Sequence, residues 1–214
     1  MTPTASSGFF ITLEGGEGAG KSTHAVLLAE RLKSLGRAVV VTREPGGSPE
    51  AEKLRQLLLG GATCRWSPLA EALLNYAARD THMKAVVRPA LGRGAVVISD
   101  RFMDSTTVYQ GYAGGVDFQL LQDLERAVVG NERPQLTIVF DIDPALGLER
   151  ARKRDPGTSD RFEGRALEFH RRLREGFLDL ARRESERCVV VDATRPKEIV
   201  SAEIWETVAA RIGA

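Results

Sequence analysis

The sequence predicts an α/β domain built on a five-stranded, mostly parallel sheet flanked by helices, and three observations predict it. Short runs rich in β-branched and aromatic residues alternate with longer segments of helical period. The strand candidates are nearly continuous in apolar residues, as strands covered on both faces must be. A glycine-rich loop, Gly15-Gly16-Glu17-Gly18-Ala19-Gly20-Lys21-Ser22, stands between the first strand and the first helix.

The elements follow in order. The first strand candidate is Phe9-Phe10-Ile11-Thr12-Leu13. After the loop a helix starts near Gly20, with Ala25, Leu28, Leu32 and Leu35 three and four residues apart and Gly36 as its stop. Further strands are expected at Ala38 to Thr42, Ala95 to Ser99, Leu136 to Asp141 and Cys188 to Asp192. After Pro196, the stripe Val200, Ile204, Val208 and Ile212 closes the chain with a helix packed on the sheet. Both stripes read as core and not as a partner groove. Asp155-Pro156-Gly157-Thr158-Ser159 is dense in turn formers between two Arg-rich helical segments, which marks a mobile lid over about 150–164. The composition of Met1 to Ser7 reads as a flexible tail. With no internal repeat or Pro/Ser-rich linker, residues 1–214 read as one domain.

Composition narrows the function classes. With 214 residues and 43% hydrophobic content, the chain can bury a sizeable core. Thirty basic against twenty-nine acidic residues leave a net charge of +1, without the basic excess of a protein living on nucleic acid. No apolar run approaches the ~20 residues of a membrane span, and the opening residues lack a signal-peptide pattern. Cys64 and Cys188 lie far apart without CxxC spacing, so neither a disulfide framework nor a zinc cluster is suggested. A reducing, cytoplasmic setting is expected. His24, His82 and His170 show no metal-ligand spacing and read as surface or helix-packing residues.

The glycine-rich loop satisfies G-x-x-x-x-G-K-[ST] in the strand–loop–helix context the motif requires. Glycines let backbone N–H groups converge on a polyphosphate, and the helix N-terminus adds its positive end. Gly15, Gly16, Glu17, Gly18, Ala19, Gly20, Lys21, Ser22 and Thr23 are therefore the candidate ATP site of a P-loop NTPase fold. Lys21 reaches the terminal phosphates and Ser22 ligates Mg²⁺. Glu17 would repel a triphosphate, so its side chain is expected to face a second substrate.

A regulatory GTPase would need NKxD, and the nearest segment, Asn131-Glu132-Arg133-Pro134, lacks both Lys and Asp. A small kinase remains. The third strand ends in Asp100-Arg101, at the strand terminus where ligands bind in a parallel sheet. There Asp100 can hold Mg²⁺ through water, and Arg101 can grip an acceptor phosphate with its planar fork.

Ile98-Ser99-Asp100-Arg101-Phe102-Met103-Asp104-Ser105-Thr106-Thr107-Val108-Tyr109-Gln110-Gly111 resembles the signature segment of thymidylate kinases, DR[YFH]xxS[ST]xAYQG. The phosphate loop, Thr42-Arg43-Glu44-Pro45-Gly46-Gly47, Tyr76-Ala77-Ala78-Arg79, Asp160-Arg161-Phe162-Glu163 and Asp192-Ala193-Thr194 extend the resemblance in order through nearly the whole chain. It implies transfer of the γ-phosphoryl of ATP·Mg²⁺ to dTMP, in dTTP biosynthesis, on a five-stranded parallel sheet in a homodimer. A kinase for another pyrimidine monophosphate such as dUMP, or a non-catalytic nucleotide-binding module, is the alternative.

By that resemblance, Lys21, Asp100, Arg101 and a lid arginine are catalytic. Arg154 takes the lid role, with Arg152 and Arg161 as alternatives among Arg150, Arg152, Lys153, Arg154 and Arg161. Arg101 and Arg43 would bind the acceptor phosphate, and Glu17 the 3′-hydroxyl of the deoxyribose. Arg79 would donate to the thymine carbonyl, with Thr106 and Gln110 near the polar edge of the base. Tyr109 would lie against the sugar, and Asp192-Ala193-Thr194 along the adenine. Four residues before Arg79 the family usually has a phenylalanine stacked on thymine, where this chain has Asn75. Tyr76, about 100° further round the helix, is not a simple replacement.

Overall fold

Five parallel strands form one sheet in the order β2-β3-β1-β4-β5: β1 (Phe9–Gly15), β2 (Val39–Arg43), β3 (Val96–Asp100), β4 (Leu136–Asp141) and β5 (Cys188–Asp192). The computed structural model describes residues 8–61, 65–154, 162 and 164–213. The tail over 1–7 lies outside them, as do residues 155–161 and 163 of the expected lid.

β4 and β5 span the expected residues, whereas β2 and β3 each begin and end one residue later and β1 runs on to Gly15. Pairing explains the shifts. Gly15 stands opposite Phe140 of β4, and Arg43 and Leu13 both stand opposite Asp100. The ladder therefore carries Gly15, Arg43 and Asp100 to the same carboxyl edge, where parallel sheets bind ligands.

Strand residues alternate between two buried faces. On one, Ile11, Leu13, Ile98 and Ile138 pack under α1 (Lys21–Ser34) and α9 (Lys197–Ile212), which contribute Leu28, Leu32, Val200, Ile204 and Val208. Leu35 departs from expectation. It caps α1, where the chain turns away at Gly36 (φ 76°), and is 55% exposed instead of core.

On the other face, Phe10 and Val97 pack against Met83, Val87, Phe102 and Met103. Met83–Val87 is a π-helical stretch joining α3 (Pro68–His82) to α4 (Arg88–Gly92), and Met103 opens α5 (Met103–Thr106), which continues as a π-turn through Tyr112. Val139 packs on Leu173, Phe177 and Leu180 of α8 (Leu167–Arg183). Ser48 and Ser67 cap α2 (Pro49–Leu59) and α3, each with proline in the first turn where its missing N–H costs nothing. Asp117 caps α6 (Phe118–Val128), and α7 (Pro144–Arg154) follows β4. Among the described residues, no helix is long and apolar enough to cross a membrane.

Candidate active site

The phosphate loop is locked between sheet and helix. Gly15, at φ 132°, lies so close to β4 that a Cβ there would meet the Phe140 carbonyl oxygen at 2.5 Å. Gly18, at φ 65°, lies against the backbone of Gly147 in α7. Within the loop, Lys21 Nζ donates to the carbonyls of Gly16 (2.7 Å) and Gly15 (3.2 Å). Burial, together with the neighbouring Arg101, pulls its ammonium below the usual lysine range. Ser22 Oγ donates to Asp100 Oδ2, joining the first residues of α1 to the end of β3.

The loop opens onto a cavity of about 430 Å³. Glu17, Gly18, Ala19, Gly20, Lys21, Ser22, Thr23, Arg43, Arg79, Asp100, Arg101, Thr106, Tyr109 and Gln110 all line it, as does Asn75. Gly15 and Gly16 do not; their carbonyls hold Lys21 instead. The side chain of Arg154, and Asp160 and Arg161, lie outside the described residues.

Arg101 is the hub of a polar cluster on the cavity wall. It adopts φ 67°, rare for a residue with a side chain, and three contacts hold its guanidinium there: Gly15 O (3.0 Å), Ser105 Oγ (3.1 Å) and Glu17 Oε1 (2.6 Å). Glu17 also accepts from the Tyr109 hydroxyl at 2.9 Å. Burial opposes its charge, but Arg101, Lys21 and Tyr109 outweigh it and hold the carboxyl down at about 2. Arg43 is at the cavity mouth, paired with Glu52 at 3.1 Å.

Sequence reading missed the carboxylates that position these arginines. Glu14, fully buried in β1, accepts from Phe102 N (2.7 Å) and from Ser105 Oγ (2.6 Å), fixing the turn after Arg101. Burial pushes its carboxyl up to about 7; Asp104 adds to the rise and Arg101 opposes it. Glu44 accepts from Arg79 Nε at 2.8 Å, while Arg79 Nη2 donates to Thr106 Oγ1 at 3.0 Å. The partners of these two carboxylates lie 35 to 91 residues away, beyond the reach of any local pattern.

Other side chains near the cavity are bonded within the protein. Gln110 Nε2 donates to Glu71 at 2.8 Å, so its amide nitrogen is committed within the protein. Asn75 Nδ2 folds back onto the Glu71 carbonyl of its own helix at 2.9 Å. Tyr76 is buried, its hydroxyl donating to the Leu121 carbonyl, and does not line the cavity. All three histidines are buried, the helix-packing alternative of the two expected. In the Asp192-Ala193-Thr194 loop, Thr194 N donates to Asp192 and Arg150 donates to the Ala193 carbonyl.

Ser22 Oγ and Asp100 Oδ2 bring two hard oxygen atoms together near Lys21, and no group of three metal-ligating His, Cys, Asp or Glu occurs among the described residues. That donor set suits a magnesium ion that takes its remaining ligands from phosphate and water, not a protein-caged metal.

A family model for thymidylate kinase matches residues 13–204. The chain is 53% identical over 206 residues to the thymidylate kinase of Caulobacter vibrioides, covering 96% of this chain and 98% of that protein. It is 49% identical over 206 residues to that of Deinococcus radiodurans, with the same coverage. A crystal structure of thymidylate kinase from Ehrlichia chaffeensis matches with a TM-score of 0.76 at 33% identity, over 94% of this chain and 99% of that one.

Proposed function

This chain belongs to the thymidylate kinase family and phosphorylates dTMP with ATP in nucleotide biosynthesis; from that premise we propose how its residues divide the work. One observation carries the reading: a single cavity joins the phosphate loop to Glu17, Arg101 and Arg79, so donor and acceptor share one chamber. The family uses ATP with a divalent cation.

Phosphoryl transfer needs alignment and charge neutralisation more than covalent help. The loop amides and Lys21 cradle the β- and γ-phosphates, Lys21 exchanging its carbonyl contacts for phosphate oxygens. Ser22 and Asp100 would hold Mg²⁺, which when bound would neutralise charge on the triphosphate oxygens. Arg101 presents a cation fixed at three points to the acceptor phosphate, with Arg43 as a second contact from the mouth. Glu17 takes the 3′-hydroxyl, and Tyr109, hydrogen-bonded to Glu17, sets the ring that crowds the 2′ position. Arg79 and Thr106 read the polar edge of the base, with Gln110 held beside them by Glu71.

The test is a coupled ADP-release assay with ATP and Mg²⁺ against dTMP, dUMP, UMP, CMP and GMP. The reading expects a sharp preference for dTMP. It also expects Lys21→Ala to lose about two to three orders of magnitude in turnover with its fold retained, because a buried charge aimed at the transferred group is removed. Unchanged turnover in that variant would overturn the mechanism.

The proposal includes a homodimer and a cytoplasmic setting. Leu69 and Leu73 on α3 and Phe118 and Leu120 on α6 are exposed apolar side chains of two helices that pack together, a surface suited to a second copy. Sedimentation should give a dimer that Leu73→Glu weakens; a wild-type monomer at micromolar concentration would refute it. Cys188 is buried with its thiol pushed up to about 12 by burial, consistent with an inert, reduced cysteine.

A further inference from the structure

Arg79 is 2% exposed and clamped between two rings, 4.6 Å from the Tyr76 centroid and 5.1 Å from that of Phe102. Its Nε is committed to Glu44 and its Nη2 to Thr106, but the buried Nη1 has no hydrogen-bond partner among the described residues. A buried guanidinium donor left unmatched on a cavity-lining residue is a donor waiting for a ligand acceptor.

What aims that donor lies behind it. Glu44 meets Arg79 through one oxygen only, and a carboxylate held by a single hydrogen bond can swing about it. Its other oxygen is held by His82 Nδ1 at 2.8 Å, and His82 Nε2 is 2.7 Å from Thr42 Oγ1 on β2. His82 has no solvent exposure and does not line the cavity. Nδ1 faces a carboxylate and so carries a proton, while the Thr42 hydroxyl serves Nε2 as donor or acceptor. The backbone is shaped around this ring: a Cβ on Gly47 would meet Thr42 Oγ1 at 2.5 Å and His82 Nε2 at 2.6 Å.

We propose that His82 is a positioning residue for acceptor-base selection: by pinning Glu44 it fixes the plane of Arg79, so that Nη1 is presented to one carbonyl of the base. The proposal rests on the reading that Arg79 contacts the base. A base with an amino group at that position brings a donor to a donor and is rejected. Thr42 and His82 do not line the cavity, so loss of the ring falls on base choice and not on the chemical step.

The experiment measures kcat, KM for dTMP, KM for ATP, melting temperature and the dTMP-to-dCMP ratio of kcat/KM. In His82→Leu both ring contacts go, and the ratio should fall about tenfold, the effect of loosening one charge-assisted hydrogen bond. KM for dTMP should rise by a similar factor, while kcat and KM for ATP stay within about threefold. In His82→Asn an amide nitrogen can take the place of Nδ1 against Glu44, and the ratio should be restored. Should His82→Leu fail to fold, His82→Gln, whose amide matches Nε2 and not Nδ1, carries the same expectation. A folded His82→Leu or His82→Gln with the wild-type ratio overturns the proposal, as does a loss in kcat shared equally by both nucleotides. Arg79→Ala separates the two levels. If it leaves the ratio unchanged, the base-contact reading itself fails; if it collapses the ratio while the His82 variants do not, only the role of His82 falls.

Discussion

Glu17 and Arg101, 84 residues apart in the chain, close a 2.6 Å ion pair where the phosphate loop meets the turn after β3. Their side chains are only 17% and 15% exposed, so the pair is far less screened than a surface bridge. A carboxylate inside a phosphate loop is electrostatically unfavourable for ATP unless a cation claims it, and here Arg101 does.

Removing that charge should act on the acceptor. Glu17→Gln keeps the shape and the contact with the Tyr109 hydroxyl but loses the ion pair and the strong acceptor for a sugar hydroxyl. Titrations should show dTMP affinity falling about tenfold, the scale of a charge-assisted hydrogen bond, with ATP affinity changed far less. The reverse ranking would refute the assignment. With its carboxyl held at about 2, the pair contributes stability present above the ordinary value of 4.5 and lost as pH falls through about 2. Across neutral pH this contact does not titrate.

Asp100 makes a separable prediction. Its Oδ2 accepts from Ser22 Oγ, which places two oxygen atoms together at the first residues of α1. Asp100→Asn should raise the Mg²⁺ concentration for half-maximal activity about tenfold, because one anionic oxygen is lost from an oxygen-ligand set. KM for dTMP at saturating Mg²⁺ should change little. An unchanged Mg²⁺ dependence would remove Asp100 from the metal site.

Much of the scaffold is legible in the chain because each strand's apolar run has polar or turn-forming neighbours. β4 ends before Asp143-Pro144 and β5 before Thr194, and both are read to the residue. β1 is cut short because Glu14-Gly15 reads as loop; only pairing with Val139 and Phe140 makes it strand. The phosphate loop is legible because its chemistry is contiguous. The shell behind it is not: Glu14 serves Ser105, and Glu44 joins His82 to Arg79, through contacts that exist only once β1, β2 and α3 are assembled. A buried histidine in an apolar helix pattern looks like packing until its carboxylate appears.

Glu14 should leave a signature in the pH dependence of stability. Its carboxyl is pushed up to about 7 by burial, so between 4.5 and 7 the folded state holds a proton the unfolded chain releases. Stability supported by that proton is present in full below 4.5 and lost as pH rises through about 7, on the order of 1–3 kcal/mol. Glu14→Gln cannot ionise and still offers an oxygen to Phe102 N and Ser105 N. The difference in melting temperature, variant minus wild type, should become more positive between pH 5 and pH 8. A difference that stays flat would mean that Glu14 does not titrate in this range.

Asn75 is the side chain whose replacement should improve the enzyme. It lines the cavity one helical turn before Arg79, yet its amide is bonded to the carbonyl of Glu71 within α3. It therefore offers the base little apolar surface, and Tyr76 cannot supply any from the buried side of the helix. A phenylalanine at 75 keeps the helix, leaves a carbonyl that α3 already satisfies through its own ladder, and places a ring where a base can stack. Stacking of that kind contributes about 0.5–1.5 kcal/mol beyond burial. Asn75→Phe should therefore lower KM for dTMP about two- to tenfold at similar kcat. An unchanged or raised KM would show that stacking is not what the site lacks.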